Sequence, residues 1–223
     1  MTNAAATPGQ SVESDAALRV RQAVSVALPS VTVFDGVIGA IEQVVGVTRV
    51  AAYENNTAST DGNGMSANSV GFVVEGGNGL SICQAIAAHM PPGITTYKTG
   101  TYVSNTIIDV FGTSRVISFM TPTESTVGVS LTIHGLNGWN TAAEPLIQAA
   151  LIAYIDALPI GQTVSYTGLI IPAYLANSPY AGTFLIKSMT INKNSGGFGT
   201  TDLTLAFNEA VTSNASLITF TIV

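Results

Sequence analysis

Two histidines, one cysteine and 13 carboxylates are all that this 223-residue sequence offers for acid–base or metal chemistry. A Ser-His-acid site needs a histidine beside a nucleophile, and only His89 and His134 could serve. His89 falls at the carboxyl end of a predicted helix, where a cation suits the dipole, and His134 lies on the strand face opposite Val129, Leu131 and Ile133. Both are read as structural. The nearest approach to a GxSxG elbow, Gly64-Met65-Ser66-Ala67-Asn68, departs at its last position. Cys83 alone excludes an internal disulfide and a thiolate metal cluster, and reads as a small buried residue. The carboxylates are scattered singly, which does not suit a metal site. Asp61-Gly62-Asn63-Gly64 lacks the later carboxylates of a calcium loop and reads as a turn. Gly196-Gly197-Phe198-Gly199 has no following lysine or helix start to make a phosphate cradle, and reads as a hairpin loop. Glu75, Glu124, Glu144 and Glu209 could be combined into the carboxylate pair of a glycoside hydrolase, yet no spacing selects two of them. No catalytic, cofactor-binding or metal-binding residue is therefore assigned.

The elements that position these residues follow from periodicity. Residues 1–12, with Pro8 and Gly9, read as a linker or truncated end. A helix is predicted from Glu13 to Leu28, capped by Ser14 or Asp15, with Asp15 facing Arg19 and Pro29 ending it. Ser30 or Thr32 opens a second helix, in which Thr32 and Asp35 have capping-box spacing and Val33, Val37, Ile38, Ile41, Val44 and Val45 mark the buried stripe. Val47 to Tyr53 alternates as a strand, with Val47, Arg49 and Ala51 on one side and Thr48, Val50 and Ala52 on the other. Val70 to Glu75 forms the next strand, and Arg49 and Glu75 are read as structural charges. Between the two strands, Asn55 to Asn68 carries no Lys, Arg or His but many hydrogen-bonding groups, as a subunit-contact loop would. Asn78 caps a helix from Leu80 to His89 that Pro91, Pro92 and Gly93 stop.

Thr95 to Phe119 reads as two or three strands, with turns near Ser104 and Asn105 and at Gly112. Pro122, within the apolar-poor run Thr121 to Ser125, marks a boundary between two domains, 13–122 and 123–223. Beyond it, Val127 to Leu136 is a strand. Thr141 and Glu144 form a capping box for the longest helix, Ala142 to Leu158, whose face is Leu146, Ile147, Ala150, Leu151, Tyr154, Ile155 and Leu158. A short helix from Thr167 to about Leu175 precedes three strands, Thr183–Asn192, Asp202–Phe207 and Leu217–Val223. The fold class expected is α+β: two small domains, each with a short, mostly antiparallel sheet packed against helices.

Composition narrows the function. Charged residues make up 9% of the chain and hydrophobic ones 47%, where an ordinary soluble domain has about 25% charged. A neutral surface rich in Ser, Thr and Asn suits a part packed into an assembly. Seven Lys and Arg and a net charge of −6 cannot supply a phosphate-neutralising patch, so no nucleic-acid partner is expected. The longest apolar run, Leu146 to Ile160, is interrupted by Gln148, Asp156 and Pro159 and is shorter than the roughly 20 residues of a span, so no membrane insertion is expected. MTNAAATPGQ shows no signal-peptide pattern, which places the chain in the cytoplasm before assembly.

Taken in order, several blocks resemble the baseplate J-like family of contractile-tail phages and related injection systems. They are Glu13-Ser14-Asp15 with Leu18, Arg19 and Arg21; Gly46-Val47-Thr48-Arg49-Val50 followed by Tyr53-Glu54-Asn55-Asn56-Thr57; Val73-Val74-Glu75-Gly76-Gly77; Pro91-Pro92-Gly93-Ile94 with Tyr97; and Ala206-Phe207-Asn208-Glu209. The resemblance implies a wedge subunit of the baseplate in the virion tail. Such a subunit is not an enzyme; it contacts other wedge proteins and copies of itself in a six-fold assembly and relays rearrangement on contraction. Members usually carry a longer segment before the Glu-Ser-Asp block. The expectation is thus a carboxy-terminal portion of a longer protein, or a minimal member completed by another chain. The alternatives are a tail-associated cell-wall glycan hydrolase using paired carboxylates and a receptor-binding module.

Overall fold

The computed structural model describes residues 32–109, 111–174 and 179–223. The expectations for 1–12 and for the helix from Glu13 to Leu28 lie outside the described residues.

The first described helix, α1 (Val33–Glu42), begins as its capping signal requires. Thr32 Oγ1 accepts from the Asp35 N–H at 3.2 Å and donates to Asp35 Oδ2 at 2.6 Å. Its buried face is Gly36, Val37, Gly39 and Ile41, whereas Val33 and Val45 of the expected stripe are exposed. Val45 falls beyond the last helical turn.

Strands β1 (Val47–Asn55) and β2 (Ser69–Gly76) pair antiparallel, with Arg49 opposite Glu75 and Tyr53 opposite Gly71. A bulge between Val47 and Arg49 rephases the alternation, so Val47 packs on the same side as Val50 and Ala52 instead of beside Arg49 and Ala51. Asn78 caps α2 (Gly79–His89), its Oδ1 accepting from the Leu80 and Ser81 N–H groups at 3.1 Å. Then come β3 (Thr95–Tyr97), parallel to β2, and the hairpin of β4 (Tyr102–Ile108) and β5 (Ser114–Met120).

The turn expected at Ser104 and Asn105 is absent. Both residues lie within β4, Ser104 opposite Ser118 with their hydroxyls 2.6 Å apart, and Asn105 opposite Ile117. Local turn propensity loses there to cross-strand partners. The chain reverses at Asp109–Thr113 instead. Asp109 Oδ1 accepts from the Phe111 and Thr113 N–H groups at 2.9 Å, and Gly112 takes φ +81°.

The first sheet runs β1-β2-β5-β4, with β3 beside β2. One face, including Val50, Val70, Phe72, Val74, Ile117 and Phe119, packs on α1 and α2 through Val37, Ile41, Ile82, Cys83 and Ile86. Its other face, through Ala51, Tyr53, Val73 and Met120, meets Ile160, Phe207 and Ala210 of the second half.

In that half β6 (Thr123–Gly135) pairs antiparallel with β7 (Phe184–Lys193). On its other side it runs parallel first to β8 (Glu209–Thr212) and then to β9 (Ile218–Ile222). The expected strand Asp202–Phe207 is not formed. Leu203 makes one bridge, to Val164, and the Thr204 carbonyl accepts from Lys193 Nζ at 3.1 Å. Side-chain alternation there lacks a partner edge, and the ladder passes to Glu209–Thr212. Helix α3 (Glu144–Asp156) follows a single 3₁₀ turn, Thr141–Ala143. Asn140, not Thr141, caps that turn, its Oδ1 accepting from the Ala142 N–H at 2.9 Å. Thr141 is already inside the turn and cannot cap. Ile147, Leu151, Ile155 and Leu158 are buried, while Leu146 is exposed. The short helix α4 is only Ile170–Ala173. The fold is a mixed α+β arrangement of two mostly antiparallel sheets, of five and four strands.

Candidate functional site

The residues considered for catalysis are dispersed. His89 is exposed in the last turn of α2. His134 is exposed on β6, its Nδ1 2.8 Å from the carbonyl of Val223. Met65, within the run that comes nearest a nucleophile elbow, is fully buried. Gly196 follows Asn194 and Ser195, both at positive φ, in the reversal after β7. Among the described residues no group of three or more His, Cys, Asp and Glu is placed to hold a metal ion. No described helix is long and apolar enough to cross a membrane.

The four glutamates have separate settings. Glu144 starts α3. Glu209 is held at the end of β8 by the Ser125 hydroxyl, the Ala206 N–H at 2.9 Å and Lys193 Nζ at 3.0 Å. Burial works to raise its pKa, and these donors outweigh it and leave the carboxyl below the usual range. Burial, then the neighbouring Glu75, pushes Glu124 up. Glu75 itself lies low because Arg49 hydrogen-bonds it, against the opposing effect of burial.

Arg49 joins the two halves. Its Nε and Nη2 donate to the two Glu75 oxygens at 2.5 and 2.8 Å, and its Nη1 donates to the carbonyls of Leu158 at 3.2 Å and Val211 at 3.1 Å. The guanidinium thus satisfies the Leu158 carbonyl, just beyond α3, and a carbonyl of β8 from a strand of the other sheet. Tyr53, two pleats along the same face, donates to the Phe207 carbonyl at 2.6 Å and meets the Phe207 ring edge-on. Gly161 sits under this contact at φ +75°, where a Cβ would lie 2.9 Å from Phe207 O and 3.0 Å from the Tyr53 hydroxyl. Only glycine suits that combination of backbone and space.

The loop expected to be a contact surface spends much of its polarity on itself. Asn55 is buried, with Nδ2 2.8 to 3.0 Å from the carbonyls of Ser59, Met65 and Ser66. Asp61 Oδ1 accepts from the Asn63 and Met65 N–H groups, and Met65 packs beside Gly71 and Met120. Exposed polar groups remain along residues 56–60.

A more open surface lies on the β4–β5 hairpin, and sequence reasoning missed it. The sheet face whose inner end is covered by the second half continues outward over Tyr102, Ser104, Thr106 and Ile108 and, across the pair, Ser114 and Val116. All six are exposed and none is charged. Ile108 is 70% and Val116 64% accessible, and Phe111 at the tip is 89% accessible. Apolar residues standing this far out together form an exposed apolar patch of the kind found in protein–protein contacts. Alternating Ile, Val and Thr announced strands, but nothing in the sequence told which face the second half leaves bare.

No family model matches the chain, and no curated protein matches it.

Proposed function

We propose that this chain is a structural wedge component of a contractile phage-tail baseplate, or of a related injection system. It acts through protein contacts with other wedge proteins and further copies of itself in a six-fold assembly. The reading rests on the blocks that resemble the baseplate J-like family and on the very low charge of the sequence. The observation that carries it is the exposed apolar group Ile108, Val116 and Phe111 on the β4–β5 hairpin, outward of the Tyr102 ring that Lys98 covers. Such a face is disfavoured in free solution and is stabilised by a covering neighbour. The Arg49 junction fits a part that transmits displacement between its halves as the tail contracts. The chain would be made in the host cytoplasm and end in the virion.

Deleting the gene should leave tubes or sheaths without complete baseplates; normal infectious tails would refute the proposal. Replacing Ile108, Phe111 and Val116 together by Ser should leave a folded, more soluble chain that no longer enters tails. A second reading, a cell-wall glycan hydrolase, has one observation in its favour: a carboxyl that burial raises, Glu124, lies within electrostatic reach of Glu75. Glu75 is occupied by Arg49, which weakens it as a nucleophile. Peptidoglycan turnover by the purified chain, abolished by Glu124→Gln, would promote that reading.

A further inference from the structure

Strand β4 ends the first sheet on the side away from β1, and two bonds fix which of its backbone groups point outward. Thr121 N–H donates to Thr101 O and Asp109 N–H to Thr113 O, each at 3.0 Å, in the register that sets Tyr102 opposite Met120 and Ile108 opposite Ser114. The odd-numbered residues therefore exchange bonds with β5, and the N–H and C=O groups of Tyr102, Ser104, Thr106 and Ile108 point away from it. Among the described residues no strand pairs with that edge and no backbone group bonds to it. Sheets guard such edges with bulges, charges or brevity. Strand β1 carries Arg49, Glu54 and a bulge at Val47–Arg49. Strand β7 carries Lys187 and Lys193, and its register skips Lys187. Strands β8 and β9 are four and five residues long. Strand β4 runs seven residues in unbroken register with no charge and no proline.

We propose that this edge pairs with the β4 edge of a second copy, antiparallel across a two-fold axis at Asn105, so that two first sheets become one. The inference rests on the reading of the hairpin as a contact surface and adds its partner and register. The strand is self-complementary there. Tyr102 stands opposite Ile108 of the second copy, Ser104 opposite its Thr106 and Val103 opposite its Ile107, so apolar meets apolar and hydroxyl meets hydroxyl. The even-numbered residues face one another, as their free N–H and C=O groups require. A neighbouring register that keeps those groups paired sets Ile108 against Ser104 or Gly100 and shortens the ladder. Nearby charges do not oppose the pairing: Lys98 lies over the Tyr102 ring at 4.6 Å, Asp109 falls opposite Thr101 of the second copy, and Arg115 stands opposite Ile107 in its own hairpin. A chain of net charge −6 thus meets its copy here without setting acid against acid. Pairing uses up both edges, which makes a closed dimer.

Sedimentation of the full chain from about 1 to 100 μM should show a monomer–dimer equilibrium without larger species. Thr106→Pro removes an outward donor and leaves the β4–β5 bonds in place. It should weaken the dimer at least about tenfold, with a cooperative urea transition retained. In a second measurement, chains carrying Ser104→Cys are mixed with chains carrying Thr106→Cys. They should form the mixed disulfide in preference to either self-pair, Cys83 being buried. A chain monomeric throughout, an open-ended polymer, an unaltered dimer in Thr106→Pro, or self-pairs that match the mixed disulfide overturns the pairing. A monomeric chain that is still required for complete tails refutes the pairing and leaves the wedge reading standing. A dimer in this register that tails do not need refutes the wedge reading and leaves the pairing.

Discussion

Replacing Arg49 by Ala tests whether one side chain couples the two halves. The substitution removes the two-pronged contact to Glu75 and both bonds to the Leu158 and Val211 carbonyls. Each charge-assisted bond to a carbonyl contributes about 1.5 kcal/mol. The ion pair, with side chains 13% and 25% accessible, adds only about 0.5 to 1 kcal/mol because water still screens it. The expected loss is about 3 to 4 kcal/mol. Urea unfolding followed by the fluorescence of Trp139, which packs edge-on against Phe184 in the second half, measures it directly. Arg49→Lys should recover about half, since an ammonium keeps the charge without the fork.

The loss also depends on pH. Arg49 holds the Glu75 pKa below its ordinary value. The pair's stabilisation is therefore fully present above the unfolded value near 4.5 and is lost as pH falls through the lower folded value. Below that window, the wild type and Arg49→Ala should differ only by the carbonyl bonds. A loss under about 1 kcal/mol at pH 7 would refute the argument that Arg49 couples the halves.

Glu124 has the opposite sign. Its pKa is raised by burial and by Glu75, so its ionisation opposes folding as pH rises through the folded value. Glu124→Gln should raise Tm at pH 7 and leave it unchanged below the unfolded value. Gly161→Ala should cost about 2 to 4 kcal/mol, because it combines a left-handed backbone with a contact against Phe207 and Tyr53, and thermal unfolding measures it. Asn55→Ala should cost about 2 kcal/mol by leaving buried carbonyls unsatisfied. Limited proteolysis should then cut within residues 56–68 first, with the sheets intact; cleavage at the wild-type rate would count against it.

Much of the fold could be read from the chain because local signals and long-range partners agreed. The Thr32 and Asn78 caps, the Ile147, Leu151 and Ile155 stripe and the Gly112 reversal each needed only their neighbours in sequence. Where a distant partner decided, local reading failed. Ser104 and Asn105 look like turn residues until Ser118 and Ile117 stand opposite them. Leu203 and Leu205 alternate like a strand, yet the edge they would need is taken by Glu209–Thr212. The Val47–Arg49 bulge moved one valine to the other face, and although Gly46 and Gly76 lie beside it at positive φ, their positions in sequence do not tell which strand carries the extra residue. Arg49 could be read as a structural charge, but its reach to Leu158 and Val211 depends on how the two sheets face each other. The bare hairpin face is hidden for the same reason.

The arrangement of β6 sets an order on the birth of the molecule. Val129 of that strand pairs with Ile218, and Thr123 with Glu209. A ribosome releasing the chain from its amino end exposes β6 long before either parallel partner has been made. The first sheet, by contrast, has all its strands once Met120 has emerged. During synthesis the first sheet is therefore expected to close early, while β6 waits with both sides unpaired until β7 emerges and with one side unpaired until β8 and β9 follow. The interval before its partners arrive is when nascent chains are most prone to pair with one another.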